Sequence, residues 1–155
     1  SYTANKVKDA ETIVIDLNDF DLPIYSIDLE LKSGLPENAT KLFNLIRSAD
    51  GLIISLAEYN GSYTTAFKNV FDWMSRVNQK VWSDVPMLLM ATSPGGRGGL
   101  GVLAAAKSAF PHLGGNIVGE FSLPSFYDNF SDEGIKNTVL NETLNQQIKA
   151  LQEAL

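Results

Sequence analysis

Two stretches of the chain are apolar at nearly every position, Gly51-Leu-Ile-Ile-Ser-Leu-Ala57 and Val85-Pro-Met-Leu-Leu-Met-Ala91. Strands of this kind are expected where helices cover both faces of a parallel sheet. Thr12-Ile-Val-Ile-Asp-Leu17 and Asn116-Ile-Val-Gly-Glu-Phe121 are shorter and more polar, and read as strands nearer the edges. Between these runs the apolar period lengthens to three and four residues. Residues 36–49 set Ala39, Leu42, Phe43, Leu45 and Ile46 on one side, and residues 62–77 do the same with Ala66, Phe67, Val70, Phe71 and Met74. Residues 100–110 are small and apolar. Residues 131–155 begin on acidic Ser131-Asp-Glu and carry the stripe Leu140, Leu144, Ile148, Leu151 and Leu155. Strands alternating with helices predict βαβ units, hence one α/β domain over residues 1–155 with a doubly wound parallel sheet in three α/β/α layers.

The pattern begins late for such a sheet. Only eleven residues precede the strand read at 12–17, and residues 1–7 resemble the tail of a helix. In the strand order 2-1-3-4-5 the first strand would lie between the strands at 12–17 and 51–57. Its loss would leave unpaired backbone on two neighbours. The expectation is that about 25 residues belong before Ser1, one strand, one turn and half a helix.

Composition narrows the chemistry more than the fold. Twelve basic against eighteen acidic residues give a formal charge of −6, with no Lys/Arg cluster. That argues against nucleic acid or an anionic membrane as main partner, but leaves room for a phosphate held by backbone amides. Cysteine is absent and His112 is the one histidine, so thiolate chemistry is excluded and metal sites have little to draw on. The first nine residues lack the pattern of a signal peptide, and both apolar runs are too short to span a bilayer. A cytoplasmic protein is the expectation.

Candidate chemistry gathers where strands end, because open α/β sheets bind ligands beyond their carboxyl ends. Glu58-Tyr-Asn-Gly-Ser-Tyr63 follows the first apolar run. Asn60-Gly61 permits a tight turn, Ser62 can cap the next helix, and Tyr59 offers a flat face. It reads either as an ordinary strand–turn–helix junction or as a ligand loop. Thr92-Ser-Pro-Gly-Gly-Arg-Gly-Gly99 follows the second run. Each glycine costs on the order of 0.5–1 kcal/mol relative to alanine, which is justified where backbone must approach a ligand closely. Arg97 suits a phosphate or stands in solvent. The loop is neither a Walker A sequence nor a dinucleotide fingerprint. In Leu123-Pro-Ser-Phe-Tyr-Asp-Asn-Phe130, the aromatics Phe126, Tyr127 and Phe130 either roof a ligand pocket or cover the start of the last helix. Trp73 and Trp82 read as core, and His112 marks a helix end before Gly114-Gly115.

These segments together resemble the NAD(P)H-dependent FMN reductase family, with its related quinone, chromate and azo-dye reductases. The resemblance rests on Ala49-Asp-Gly-Leu-Ile-Ile-Ser-Leu-Ala-Glu-Tyr-Asn-Gly-Ser-Tyr63, on Phe67-Lys-Asn-Val-Phe-Asp-Trp73, on Ser93-Pro-Gly-Gly-Arg-Gly-Gly99 and on Asp19-Phe-Asp-Leu-Pro-Ile-Tyr25. It runs from about residue 11 to the end. Ala57 stands where the family usually has proline, and the family's phosphate loop falls before Ser1.

The resemblance implies a flavodoxin-like fold and an FMN site. Glu58, Tyr59, Asn60, Gly61 and Ser62, with Ser93, Pro94, Gly95, Gly96, Arg97, Gly98 and Gly99, would hold the ring and ribityl chain. It also implies NADPH or NADH as hydride donor and a small-molecule acceptor such as FMN or a quinone. The flavin would do the chemistry, so no catalytic side chain is implied. A homodimer or homotetramer is implied, with Tyr63, Phe67 and Phe71 as contact candidates, and Arg97 is a candidate for the 2′-phosphate of NADPH. An FMN-binding electron carrier and a flavin-free interaction domain are the alternatives.

Overall fold

In the computed structural model, which describes residues 1–155, three parallel strands build the sheet. They are β1 (Leu52–Tyr59), β3 (Pro86–Thr92) and β4 (Asn116–Leu123), and β2 (Ser62–Tyr63) folds back antiparallel on the end of β1. The order is β2-β1-β3-β4. Alternation along β3 explains its unbroken apolar sequence. Met87, Leu89 and Ala91 enter a core with residues of α2 (Glu37–Ser48), α3 (Thr65–Val77) and α4 (Leu100–Ala109). Leu88 points the other way, into a second core with Phe121, Leu123 and the Leu144, Ile148 and Leu151 stripe of α6 (Thr138–Gln152). Both faces of the strand are covered, which makes the flavodoxin-like three-layer arrangement. Trp73 and Trp82 are both buried in it.

Two helices start later than the apolar period suggested, and hairpins are the reason. Ser62 pairs with Tyr59 in the β1–β2 hairpin, so Thr64 caps α3 in its place, its Oγ1 accepting from the Phe67 amide at 3.1 Å. Ser131 lies in β5 (Phe130–Ser131), paired with β6 (Gly134–Ile135), and Asn137 caps α6 by accepting from the Leu140 amide. The acidic Ser131-Asp-Glu run is therefore a turn, not a helix start. Tyr2 closes this end of the molecule, edge-on to Phe130 at 5.2 Å and packed over Gly134, next to a short 3₁₀ turn at Ala4–Lys6.

The strand expected at 12–17 does not form. Those residues join no ladder, and Ile13 and Val14 are 73% and 65% exposed. A cavity of about 1090 Å³ is lined by Ile13, Val14 and Ile15 together with Leu52, Ile53 and Ser55 of β1. Backbone partners are thus out of reach of this segment, and apolar β-branched residues alone cannot make a strand. The edge of β1 away from β3 pairs only at its last residues, with β2.

A clamp joins two segments far apart in sequence. Asn69 on α3 accepts from the Tyr25 amide at 2.9 Å and donates to the carbonyls of Leu22 and Pro23. Trp73, one turn on, donates to the Pro23 carbonyl at 2.7 Å and meets the Tyr25 ring edge-on at 5.0 Å. Leu22-Pro-Ile-Tyr25 is thereby tied to α3 ahead of α1 (Ile27–Ser33). Glu30 of α1 receives Arg76 Nε at 2.9 Å and the Tyr25 hydroxyl at 2.9 Å.

The Arg76 hydrogen bond holds the Glu30 carboxyl below its ordinary value of 4.5. A depressed carboxylate contributes stability that is complete above the unfolded value and is lost as pH falls through the folded one. The stability difference between the wild type and Glu30→Gln should therefore be constant above about pH 5.5 and shrink in more acid solution. Thermal melts of both proteins from pH 7 to pH 3 test this, and a difference that stays constant down to pH 3 would refute it.

Candidate functional site

The two loops singled out in the sequence leave neighbouring parallel strands at the same level, since Ala57 of β1 lies opposite Thr92 of β3. Residues 58–63 form a hairpin around the two-residue turn Asn60-Gly61, with φ of 52° and 76°. Two consecutive positive φ values are what a type I′ turn requires, and Asn-Gly is its preferred sequence. Tyr59 is 66% exposed, with its ring free, and the amides of Asn60 and Gly61 find no protein acceptor.

The glycine-rich loop divides into an open half and a closed half. Gly95 and Gly96 have nothing within 4 Å of where a Cβ would stand. They and Pro94 and Arg97 are exposed, and the amides of Gly95, Gly96 and Arg97 meet no protein acceptor. Gly98 and Gly99 are buried. A Cβ on Gly98 would stand 2.3 Å from Ser122 Oγ and 2.8 Å from the Pro124 nitrogen, and Gly99 has φ 80° with Ala91 pressed against it. Ser93 is half-buried, its Oγ donating to the Gly95 carbonyl at 3.2 Å.

The third aromatic segment holds this loop in place, and Phe126 and Phe130 also line the large cavity. Ser125 and Phe126 amides donate to the carbonyls of Gly95 and Ser93, both at 3.0 Å. Thr92 Oγ1 donates to the Leu123 carbonyl at 2.8 Å, and Ser122 Oγ to the Gly98 carbonyl at 2.9 Å. Phe126 and Phe130 stack at 5.1 Å beside the second core. Thr92, Ser122 and Ser125 thus belong to the site's support. Sequence offered no signal for them beyond their place at strand ends.

Glu58 and Ser62 differ from the other members. The Glu58 carboxylate is turned inward and accepts from the Val102 amide of α4 at 2.9 Å. Ser62 sits in β2 with its side chain exposed. Tyr63, Phe67 and Phe71 pack with Phe110 and Trp82 in the first core. Phe71 is buried, so it is no surface contact, and burial without a partner pushes the Tyr63 hydroxyl above its ordinary value of 10.0. None of the twelve residues lines the large cavity. They form a ledge of free amides, a free aromatic face and one cation, Arg97, that makes no ion pair.

A ledge of this kind fits the edge of a planar ring. The donors are backbone amides, which read ring carbonyls and nitrogens, and the missing side chains at Gly95, Gly96 and Gly61 leave the approach clear. A dianionic phosphate is less well provided for, with Arg97 alone in these loops and α4's first turn already bonded to a carboxylate.

The family described as NADPH-dependent FMN reductase matches residues 1–128. The chain belongs to that family. The match reaches ahead of residue 11, where the resemblance became readable, and stops before α6. A quinone reductase of Escherichia coli (strain K12) is 37% identical over 79 residues, which is 51% of this chain and 42% of that protein. An NADPH:quinone oxidoreductase of Arabidopsis thaliana is 31% identical over 135 residues, 84% of this chain and 68% of that protein. The chain thus spans less than half of the bacterial relative. FerB, a flavoenzyme NAD(P)H:(acceptor) oxidoreductase from Paracoccus denitrificans, superposes with a TM-score of 0.75 at 24% identity, covering 97% of this chain and 84% of FerB. The FMN reductase motifs quoted from the sequence occupy the hairpin, the glycine-rich loop and the Asn69–Trp73 clamp. No helix is long and apolar enough to cross a membrane.

Proposed function

We propose that the chain carries the ring-binding loops of an FMN-dependent NAD(P)H oxidoreductase acting on quinones or free flavin. The observation that carries this is the pair of loops on adjacent strands, whose free amides at Asn60, Gly61, Gly95, Gly96 and Arg97 face no protein acceptor. FMN, when bound, would take hydride from NAD(P)H and pass two electrons to the acceptor. The protein's share is placement: amides fix the ring edge, Tyr59 covers it, and the glycines admit the second reactant. No acid or base side chain is called for, in keeping with loops that hold no histidine, cysteine or lysine. Arg97 is the candidate for the nucleotide's phosphate. The relatives named as quinone reductases and quinone oxidoreductases support the acceptor class.

A cytoplasmic homodimer or homotetramer completes the reading. With Phe71 in the core, the exposed Ile24, Ile27 and Leu31 around α1 offer the apolar face for such a contact.

The test is titration with FMN, followed by quenching of flavin fluorescence. It uses this chain and a fusion that places a strand and a family phosphate loop ahead of Ser1. Each charge-assisted bond to phosphate is worth about 1.5–3 kcal/mol, so the fusion should bind at least a hundredfold more tightly. It should then oxidise NAD(P)H when a quinone is supplied. Binding by neither protein would overturn the assignment, and FMN binding without turnover would make the protein an electron carrier.

A further inference from the structure

The amide of Val102 is the third of α4, the one that a helix's own N-cap side chain usually takes. Gly99 holds the N-cap position, in the left-handed region, and has no side chain to offer. The acceptor comes from 44 residues away, the Glu58 carboxylate at 2.9 Å. Gly101 lies under the same contact. A Cβ there would stand 2.8 Å from the Gly61 carbonyl oxygen and 2.9 Å from Glu58 Oε2, so the hairpin and the helix start touch with only a hydrogen between them.

We propose that Glu58 is a positioning residue that clasps the 58–63 hairpin to the start of α4, and so sets the spacing between the two ring-holding loops. The assignment to FMN rests on the function proposed above; the clasp itself does not. Glu58 is the last residue but one of β1 and Val102 comes three residues after Gly99, so the bond ties the start of the hairpin to the helix that ends the glycine-rich loop. A negative charge at the first turn of α4 also satisfies the helix dipole there. A second anion gains little at the same place, so the FMN phosphate does not dock on α4. Glu58 thus faces away from the ligand that its neighbours Tyr59, Asn60 and Gly61 would meet.

Three variants separate the clasp from a direct role of the charge on the ring. Glu58→Ala removes the acceptor, Glu58→Gln keeps an oxygen acceptor without the charge, and Gly101→Ala forces the hairpin off the helix while leaving Glu58 intact. Amide exchange at Val102, read by NMR without flavin, should speed up about tenfold or more in Glu58→Ala and stay near wild type in Glu58→Gln. FMN affinity should follow the same order, about tenfold weaker in Glu58→Ala and in Gly101→Ala, and within about twofold for Glu58→Gln. Unchanged Val102 exchange in Glu58→Ala would overturn the clasp. Equal loss of FMN affinity in the alanine and glutamine variants, with Val102 still protected in the latter, would overturn it in favour of a direct effect of the charge. If the wild type and the phosphate-loop fusion both fail to bind FMN, the functional reading falls, and the exchange rates still decide the clasp. Should Glu58→Ala fail to fold, Gly101→Ala and Glu58→Gln carry the same comparison.

Discussion

Trp73→Ala is expected to lower the melting temperature by about 10 °C or more, the largest single loss among the side chains that frame the site. Trp73 has no exposed surface and its indole nitrogen donates to the Pro23 carbonyl at 2.7 Å. Emptying a buried aromatic site costs about 3–5 kcal/mol, and the carbonyl left without its donor adds to that. Against a total stability of about 5–15 kcal/mol this is a large fraction. The loss should also reach beyond α3, because Tyr25 packs on the same ring and Leu22-Pro-Ile-Tyr25 would keep only its Asn69 hydrogen bonds to α3. Trp73→Phe keeps most of the ring and loses the hydrogen bond, so it should cost about 1–2 kcal/mol. Circular dichroism melts of both variants decide the matter. A shift under about 3 °C for Trp73→Ala would mean that the clamp carries little of the fold.

The clamp also shows what a sequence reveals and what it hides. Asn69 and Trp73 were recognisable as a motif, and Asp19–Tyr25 as another, yet their contact spans 44 to 50 residues and appears only in the folded chain. Local signals served well where the cause of structure was itself local. The apolar runs at 51–57 and 85–91 became β1 and β3 because burial on both faces leaves no other composition open to them. Asn60-Gly61 was readable as a turn because few other pairs accept two positive φ values. Residues 12–17 carry equally good strand propensity and form none, since a ladder needs a neighbour and β1 stands beyond a cavity. The start of α3 was misplaced because the antiparallel return of Ser62 and Tyr63 takes two residues that the helical period would claim. The inward turn of Glu58 had no sequence signal, for its partner is a backbone amide of another element.

Within the glycine-rich loop the four glycines should behave as two opposite pairs, and substitution by alanine separates them. Gly98→Ala places a Cβ at φ 57° within 2.3 Å of Ser122 Oγ, 2.8 Å of the Pro124 nitrogen and 2.9 Å of the Leu123 carbonyl carbon. Serine can rotate, but the backbone at 123–124 cannot retreat freely. The Thr92 bond to the Leu123 carbonyl and the amides of Ser125 and Phe126 hold it to the loop. Left-handed strain of about 1–2 kcal/mol adds to the clash, so a loss of about 3 kcal/mol or more is expected in chemical denaturation. Gly95→Ala meets open space and has no positive φ, so stability should hold or rise by up to about 1 kcal/mol. If the ring edge comes down on the free amides, the new methyl occupies its approach, and FMN affinity should fall about tenfold or more in a protein folded as well as before. Retained FMN affinity in Gly95→Ala would move the ring off this half of the loop. A Gly98→Ala protein as stable as the wild type would show that the 123–126 backbone gives way under the loop, and that Gly98 is there for the ligand instead.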